Sequence, residues 1–225
     1  MQNIVGSQGA FELLVRAIVL LTAIPIHEFA HAFVADKLGD PTARNLGRLT
    51  INPLAHLDLF GSLLMLLTGF GWAKPVPVSA GNFKNVKRDM AITSLAGPVS
   101  NLLLALLSMV AFKGILLLGS VGVLEGISPN VVYAMTQMLL IMLSINISLA
   151  LFNLLPVPPL DGSRLLTALL PYKLYYGVMK YERIIMAVLF VGLLTGVLSV
   201  PLNAASHWML GALDFLTGFM GRVVP

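Results

Sequence analysis

Charged residues divide this chain into long apolar intervals. None occurs between Asp89 and Lys113, between Glu125 and Asp161, or between Arg183 and His207, and each interval exceeds the roughly 20 residues that cross a bilayer as a helix. They predict spans near 90–118, 131–155 and 184–200. The run over 10–35 is also long enough, but it carries Glu12, Arg16, His27, Glu28 and His31. Ionisable groups at membrane depth are expensive, so this run spans only where something compensates them. No basic stretch precedes it and no small-residue cleavage site follows it, so it reads as a retained helix rather than a leader. The apolar run over 59–70 is too short to span, and Gly61, Gly69 and Gly71 interrupt its ends. It is expected to dip in and return. The stretches 45–52 and 74–79 on either side have strand-like content.

Composition places the whole chain in a bilayer. Of 225 residues, 57% are hydrophobic and 11% charged, too few polar groups to cover a soluble fold. The absence of cysteine removes disulfides, thiolate metal sites and cysteine nucleophiles. A net charge of +4 does not signal nucleic acid, because the basic residues sit in loops between apolar runs, the mark of cytoplasmic loops. Lys37, Arg44 and Arg48 precede the short run and Lys74, Lys84, Lys87 and Arg88 follow it, so both flanks are cytoplasmic and the run is re-entrant. The 156–183 connection, with Arg164, Lys173, Lys180 and Arg183, falls on the same side. Lys113 dissents and would snorkel. The expected fold class is an all-α polytopic membrane protein with four to five transmembrane helices plus the re-entrant segment. The N-terminus lies outside, and 207–220 returns inward or lies in the interface. No internal repeat is visible, so residues 1–225 form one domain with its core over about 10–170.

Within the first helix the sequence reads Ile26-His27-Glu28-Phe29-Ala30-His31. Positions i and i+4 share a helix face, so both imidazoles can bind one Zn2+ while Glu28 reaches a water as general base. Left unpaired near the bilayer centre, such groups cost roughly 2.5–3.5 kcal/mol each, which a bound dication and a wet cavity relieve. The bland alternative is a polar seam between two helices. A catalytic zinc takes three protein ligands and keeps one open position. The best candidate for the third is Asp161 in Asn153-Leu154-Leu155-Pro156-Val157-Pro158-Pro159-Leu160-Asp161-Gly162. Its prolines break the helix at membrane depth, where irregular backbone is tolerated only against protein or a water cavity. Taken alone, a Pro-rich end before Asp-Gly is more often a turn.

Together the two motifs resemble the site-2 protease family of intramembrane zinc metallopeptidases. Gly71-Trp72-Ala73-Lys74-Pro75-Val76-Pro77-Val78 and Ala96-Gly97-Pro98-Val99-Ser100-Asn101 look like the short prokaryotic branch of that family, and the resemblance covers roughly 20–170. It implies one zinc held by His27, His31 and Asp161, with Glu28 as catalytic base. Ser163 stands where a second glycine is common, a flanking difference. PDZ or CBS-type modules are not expected. The resemblance raises Asn153, and less firmly Asn101, as contacts to substrate backbone or to the oxyanion; as amides in apolar spans they otherwise join helices. His56 is a spare ligand, a gate or latch, or simply an interface histidine. His207 pairs with nothing in the pattern and reads as interfacial.

A helical substrate must be locally extended before its peptide bond can be attacked. Pro75 and Pro77 confine 74–79 to an edge, where Lys74, Val76 and Val78 could hold an extended peptide by strand addition; a proline-stiffened connector is the rival reading. If the first helix ends near Gly39, His27 lies about 15 Å from that end, which implies a polar path from the cytoplasm. The expected partners are single-span or remnant transmembrane substrates and the lipid bilayer. The competing function is a membrane metal-ion transporter, which would be expected to show repeat symmetry.

Overall fold

The computed structural model describes residues 7–68, 71–169 and 171–222, and among these the protein is all-helical. Three helices are long and apolar enough to cross a membrane: α1 (Ser7–Lys37), α5 (Val86–Ser120) and α6 (Pro129–Asn153). Between α1 and α5 lie the short helices α2 (Thr42–Asn45) and α3 (Pro53–His56), then α4 (Leu59–Thr68) and a single turn over Ala80–Asn82. After α6 come α7 (Asp161–Leu169), α8 (Tyr172–Met179), α9 (Glu182–Leu194) and α10 (Ser199–Leu216).

Helix α5 is the spine. Asn85 caps it by accepting the Arg88 N–H, and the buried Asp89 accepts the Asn85 N–H in return, a reciprocal arrangement that satisfies otherwise orphaned donors. Its apolar stripe packs in two directions. Ala105 and Met109 meet Leu143 and Ile147 of α6 and Leu213 of α10. On the other side Leu104 joins the cluster of Val15, Val19, Leu20 and Ala23 of α1 with Met65 of α4. Small buried residues let these helices approach closely, whereas Leu103, Leu107 and Leu116 face outward, each more than half exposed. That apolar exterior suits lipid and not water.

Helix α4, at ten residues, is about 15 Å long, half of a hydrocarbon core. The segment containing it leaves and rejoins the fold at one place, because the Lys74 N–H donates to the His56 carbonyl at 2.9 Å. Glycines permit the hairpin: a Cβ on Gly61 would stand 2.1 Å from the Trp72 carbonyl oxygen, and one on Gly71 equally close to that of Gly61. Gly69 and Phe70 lie outside the described residues.

Three expectations need correction. No strand forms among the described residues. Residues 45–52 hold the end of α2, a left-handed turn at Gly47 (φ +67°) and the Asn52 cap of α3, while 74–79 runs without a ladder partner, since Pro75 and Pro77 remove alternate donors. The charge-free interval 184–200 is not one helix either. Helix α9 stops at Leu194, Gly196 adopts φ +75°, and α10 begins at Ser199; thirteen residues of α9 reach only about 20 Å. Lys113 does not merely snorkel, for its ammonium pairs with Asp214 of α10 at 2.7 Å.

The loop after α1 is organised by Asp40, which is fully buried. It accepts the Thr42 N–H and hydroxyl, the Asn82 amide at 2.7 Å and the Ser79 N–H at 2.7 Å, so one carboxylate ties the end of α1 to the segment returning from α4. Burial opposes its ionisation, but the hydrogen bonds from Thr42, Asn82 and Ser79 outweigh it and hold the carboxyl below its usual range. A depressed folded pKa contributes stability above the unfolded value, which is lost as the pH falls through the folded one. Asp40→Ala should therefore cost about 2–4 kcal/mol. Thermal unfolding in detergent as a function of pH should show the parent losing stability below about pH 4, with that limb flattened in the variant.

Candidate active site

His27 and His31 sit one turn apart on α1, both more than nine-tenths buried. Their Nε2 atoms are 3.0 Å apart, and Asp161 Oδ2 lies 3.1 Å from each. His31 Nδ1 is 2.7 Å from the Thr93 carbonyl of α5; that bond assigns the proton to Nδ1 and leaves Nε2 a lone pair facing the other two groups. His27 Nδ1 is buried without a partner among the described residues. Lone pairs of two imidazoles and a carboxylate crowded into one triangle repel unless a cation or protons lie among them. This donor set, nitrogen and oxygen with no sulfur, suits zinc.

Asp161 reaches the triangle because the chain turns sharply after α6. Pro156, Pro158 and Pro159 cannot continue a helix, and short bonds from Val157 N–H to Leu155 and from Leu160 N–H to Val157 close the turn. Gly162 allows it: a Cβ there would stand 2.3 Å from the Leu154 carbonyl oxygen. Asp161 opens α7, where its charge is favoured by the helix N-terminus.

Glu28 lies beside the triangle, its Oε2 accepting the Val76 N–H at 2.8 Å. The donor expected to serve an extended peptide is thus engaged by the carboxylate in this conformation. Arg48 fixes the same segment through the Lys74 carbonyl at 2.8 Å. Val76 and Val78 line a cavity of about 770 Å³ shared with His27, Glu28, Asp161 and Asn153. Asn101 lines it too; the residue is 1% exposed and both its amide atoms lack a partner among the described residues. Asn153 instead donates to the Leu149 carbonyl of its own helix. The fully buried His56 turns its Nε2 to the Thr50 carbonyl at 2.7 Å and does not join the triangle.

Three contributors had no individual role in the sequence reading. Gly97 presents bare backbone to the site: a Cβ there would stand 2.4 Å from His31 Nε2 and 2.6 Å from His27 Nε2. Thr93 orients His31 through its carbonyl, which any residue carries. Arg16 lines the cavity and donates to the Leu66 carbonyl in the last turn of α4 at 3.1 Å; its place within an apolar helix was the only signal.

Buried imidazoles and a carboxylate carried between membrane-length helices define a membrane-embedded metallohydrolase type of site. The chain belongs to Peptidase family M50, whose family model matches residues 15–199 and so includes every member of the triangle, in agreement with the site-2 protease resemblance. It is 45% identical over 156 residues to "Putative zinc metalloprotease YwhC" of Bacillus subtilis, 68% of each chain. It is 31% identical over 159 residues to "Putative zinc metalloprotease Rip2" of Mycolicibacterium smegmatis, covering 68% of this chain and 56% of that one. The Rip2 of Mycobacterium tuberculosis is 32% identical over 148 residues, with 63% and 52% covered. The chain thus spans little more than half the length of these mycobacterial relatives. No solved structure matches it.

Gly97→Ala should displace one imidazole without unfolding α5, since alanine is the better helix former. Metal titration should show at least a tenfold loss of zinc affinity with helix content unchanged by circular dichroism.

Proposed function

We infer that the protein is an intramembrane zinc metalloprotease that hydrolyses peptide bonds within or near the transmembrane segments of other membrane proteins. The observation that carries this reading is the His27–His31–Asp161 triangle with Glu28 beside it, opening on one cavity between helices of membrane length. His27, His31 and Asp161 hold one Zn2+ per chain, which fits the names of the relatives. When bound, zinc polarises the scissile carbonyl and acidifies a water. Glu28 takes the proton at its carboxylate and returns it to the leaving amine. To do so it exchanges the Val76 N–H for that water. Asn101, buried with unused amide atoms, donates to the oxygen on which charge develops. Nothing in the comparisons favours a metal-ion transporter.

The substrate is a single-span or remnant transmembrane segment arriving from the bilayer. Residues 74–78 lie against Glu28 and hold one edge of the extended peptide: Lys74 anchors that edge through its bonds to His56 and Arg48, and Val76, once released, and Val78 supply the backbone groups. His56 acts as a latch through its backbone, joining the two ends of the re-entrant hairpin. That hairpin reading draws support from the His56–Lys74 bond and from basic residues on both flanks, and it sets the site open toward the cytoplasm in the cell membrane. The four-to-five-span count is met when α9 and α10 together make a broken fourth crossing.

Three outcomes test this reading. Purified protein should cut members of a single-span substrate panel, and a zinc chelator should abolish the fragments seen by mass spectrometry. Glu28→Gln should keep its zinc while losing 10²–10⁴-fold in turnover, whereas Asp161→Ala should lose the metal itself; an active Glu28→Gln variant would move the base elsewhere. Cysteines placed at Arg48 and Lys84 in this cysteine-free chain should both label from the cytoplasmic face, and labelling from opposite faces would make 57–70 a full span.

A further inference from the structure

Helix α10 carries a polar stripe, and the family match stops at its first residue. Ser199, Asn203 and Ser206 recur at i, i+4 and i+7 and so share one face, and all three line the cavity that holds His27, Glu28 and Asp161. The other faces of α10 have different duties. Met209 and Leu213 pack into the core with Met109 and Ile147, Trp208 and Phe215 point outward at 73% and 85% exposure, and Asp214 is clasped by Lys113.

A hydroxyl in an apolar helix ordinarily returns to the carbonyl four residues back. Several hydroxyls elsewhere in this protein do so: Ser94 bonds to Met90, Ser108 to Leu104, Ser148 to Ser144 and Thr195 to Val191, all at 2.8–2.9 Å, whereas the buried hydroxyls of Ser62 and Thr93 do not. The side chains of Ser199, which opens the helix, of Asn203 and of Ser206 make no hydrogen bond to protein among the described residues; the first two are exposed and Ser206 is half-buried. Independently, Asn101 on α5 lines the same cavity, 1% exposed, with both amide atoms unpartnered. Polar groups on two helices therefore line one cavity, Asn101 buried at its wall, Ser206 half-buried, and Ser199 and Asn203 on its accessible side.

We propose that the α10 stripe is a substrate-contact wall, which holds the backbone of a transmembrane peptide while it is unwound at Glu28. Unwinding frees N–H and C=O groups along both edges of the peptide, and within a bilayer each needs a partner. Residues 74–78 serve one edge. Ser199, Asn203 and Ser206 serve the other, each able to donate and accept. These are positioning residues, and the assignment rests on the intramembrane protease reading.

The test uses the cysteine-free full chain. In a Glu28→Gln background, Asn203→Cys is combined with a single-span substrate carrying one cysteine walked along its transmembrane segment, and disulfide cross-linking is scored against an outward-facing Trp208→Cys control. Cross-links should form from Asn203→Cys only, confined to substrate positions near the cleavage site. With Glu28 intact, Asn203→Leu combined with Ser206→Ala should raise KM about tenfold, leave kcat and zinc content near the parent's, and recover in Asn203→Gln with Ser206 retained. Equal cross-linking from Trp208→Cys, disulfides joining two copies of this chain at Asn203→Cys, or an unchanged KM would overturn the proposal. A zinc-loaded parent that cuts none of the substrates would count against the protease reading instead, and the cross-linking pattern alone would then decide whether the stripe holds a transmembrane peptide.

Discussion

Two imidazoles and two carboxylates held away from bulk water are the constraint around which this molecule is arranged. None is tolerable alone inside an apolar bundle, so each must be brought to the others, and the chain does this from sites far apart in sequence. Asp161 reaches His31 across 130 positions. Thr93 supplies the carbonyl that orients His31, and Gly97, one turn on, removes the side chain that would collide with both imidazoles. The close approach of α1, α5 and the turn before α7 follows from this need as much as from apolar packing, because a shift of an ångström would separate the donor atoms.

Around that centre the polar connections share one function, which is to bring irregular backbone to the site without leaving its groups unsatisfied. Asp40 gathers the loop after α1 and the segment near Asn82. Arg48 takes the Lys74 carbonyl and His56 takes the Lys74 N–H, so residues 74–76 are pinned on both sides before Val76 meets Glu28. Arg16 does the same for the last turn of α4. The engagement of Glu28 by Val76 keeps the carboxylate solvated by a backbone dipole until something displaces it.

The helices α1, α5 and α6 were legible because hydropathy over 20 or more residues reports a span directly. His27 and His31 were legible because helical spacing places i and i+4 on one face; the proline-rich approach to Asp161 made it a candidate, but alone that pattern is more often a turn, and the family resemblance made it a ligand. Continuity was not legible: the apolar interval over 184–206 hides a break, since a single left-handed glycine at 196 changes no hydropathy average. Strand-like composition over 45–52 and 74–79 misled, because β-branched residues favour extended chain but a ladder needs a partner edge. The Lys113–Asp214 pair, the Asp40 hub and the Gly97 cradle depend on tertiary neighbours, which no local pattern encodes.

The central claim is that His27, His31 and Asp161 together hold a catalytic zinc inside the helix bundle. X-ray absorption at the zinc edge on the purified protein tests it most directly, since the spectrum counts ligands and recognises imidazole by its outer-shell scattering. The account predicts a four-coordinate shell of nitrogen and oxygen with two imidazoles, falling to one imidazole in whatever zinc His31→Ala retains. A shell that keeps two imidazoles in His31→Ala, or that shows fewer than two in the parent at one zinc per chain, would contradict it.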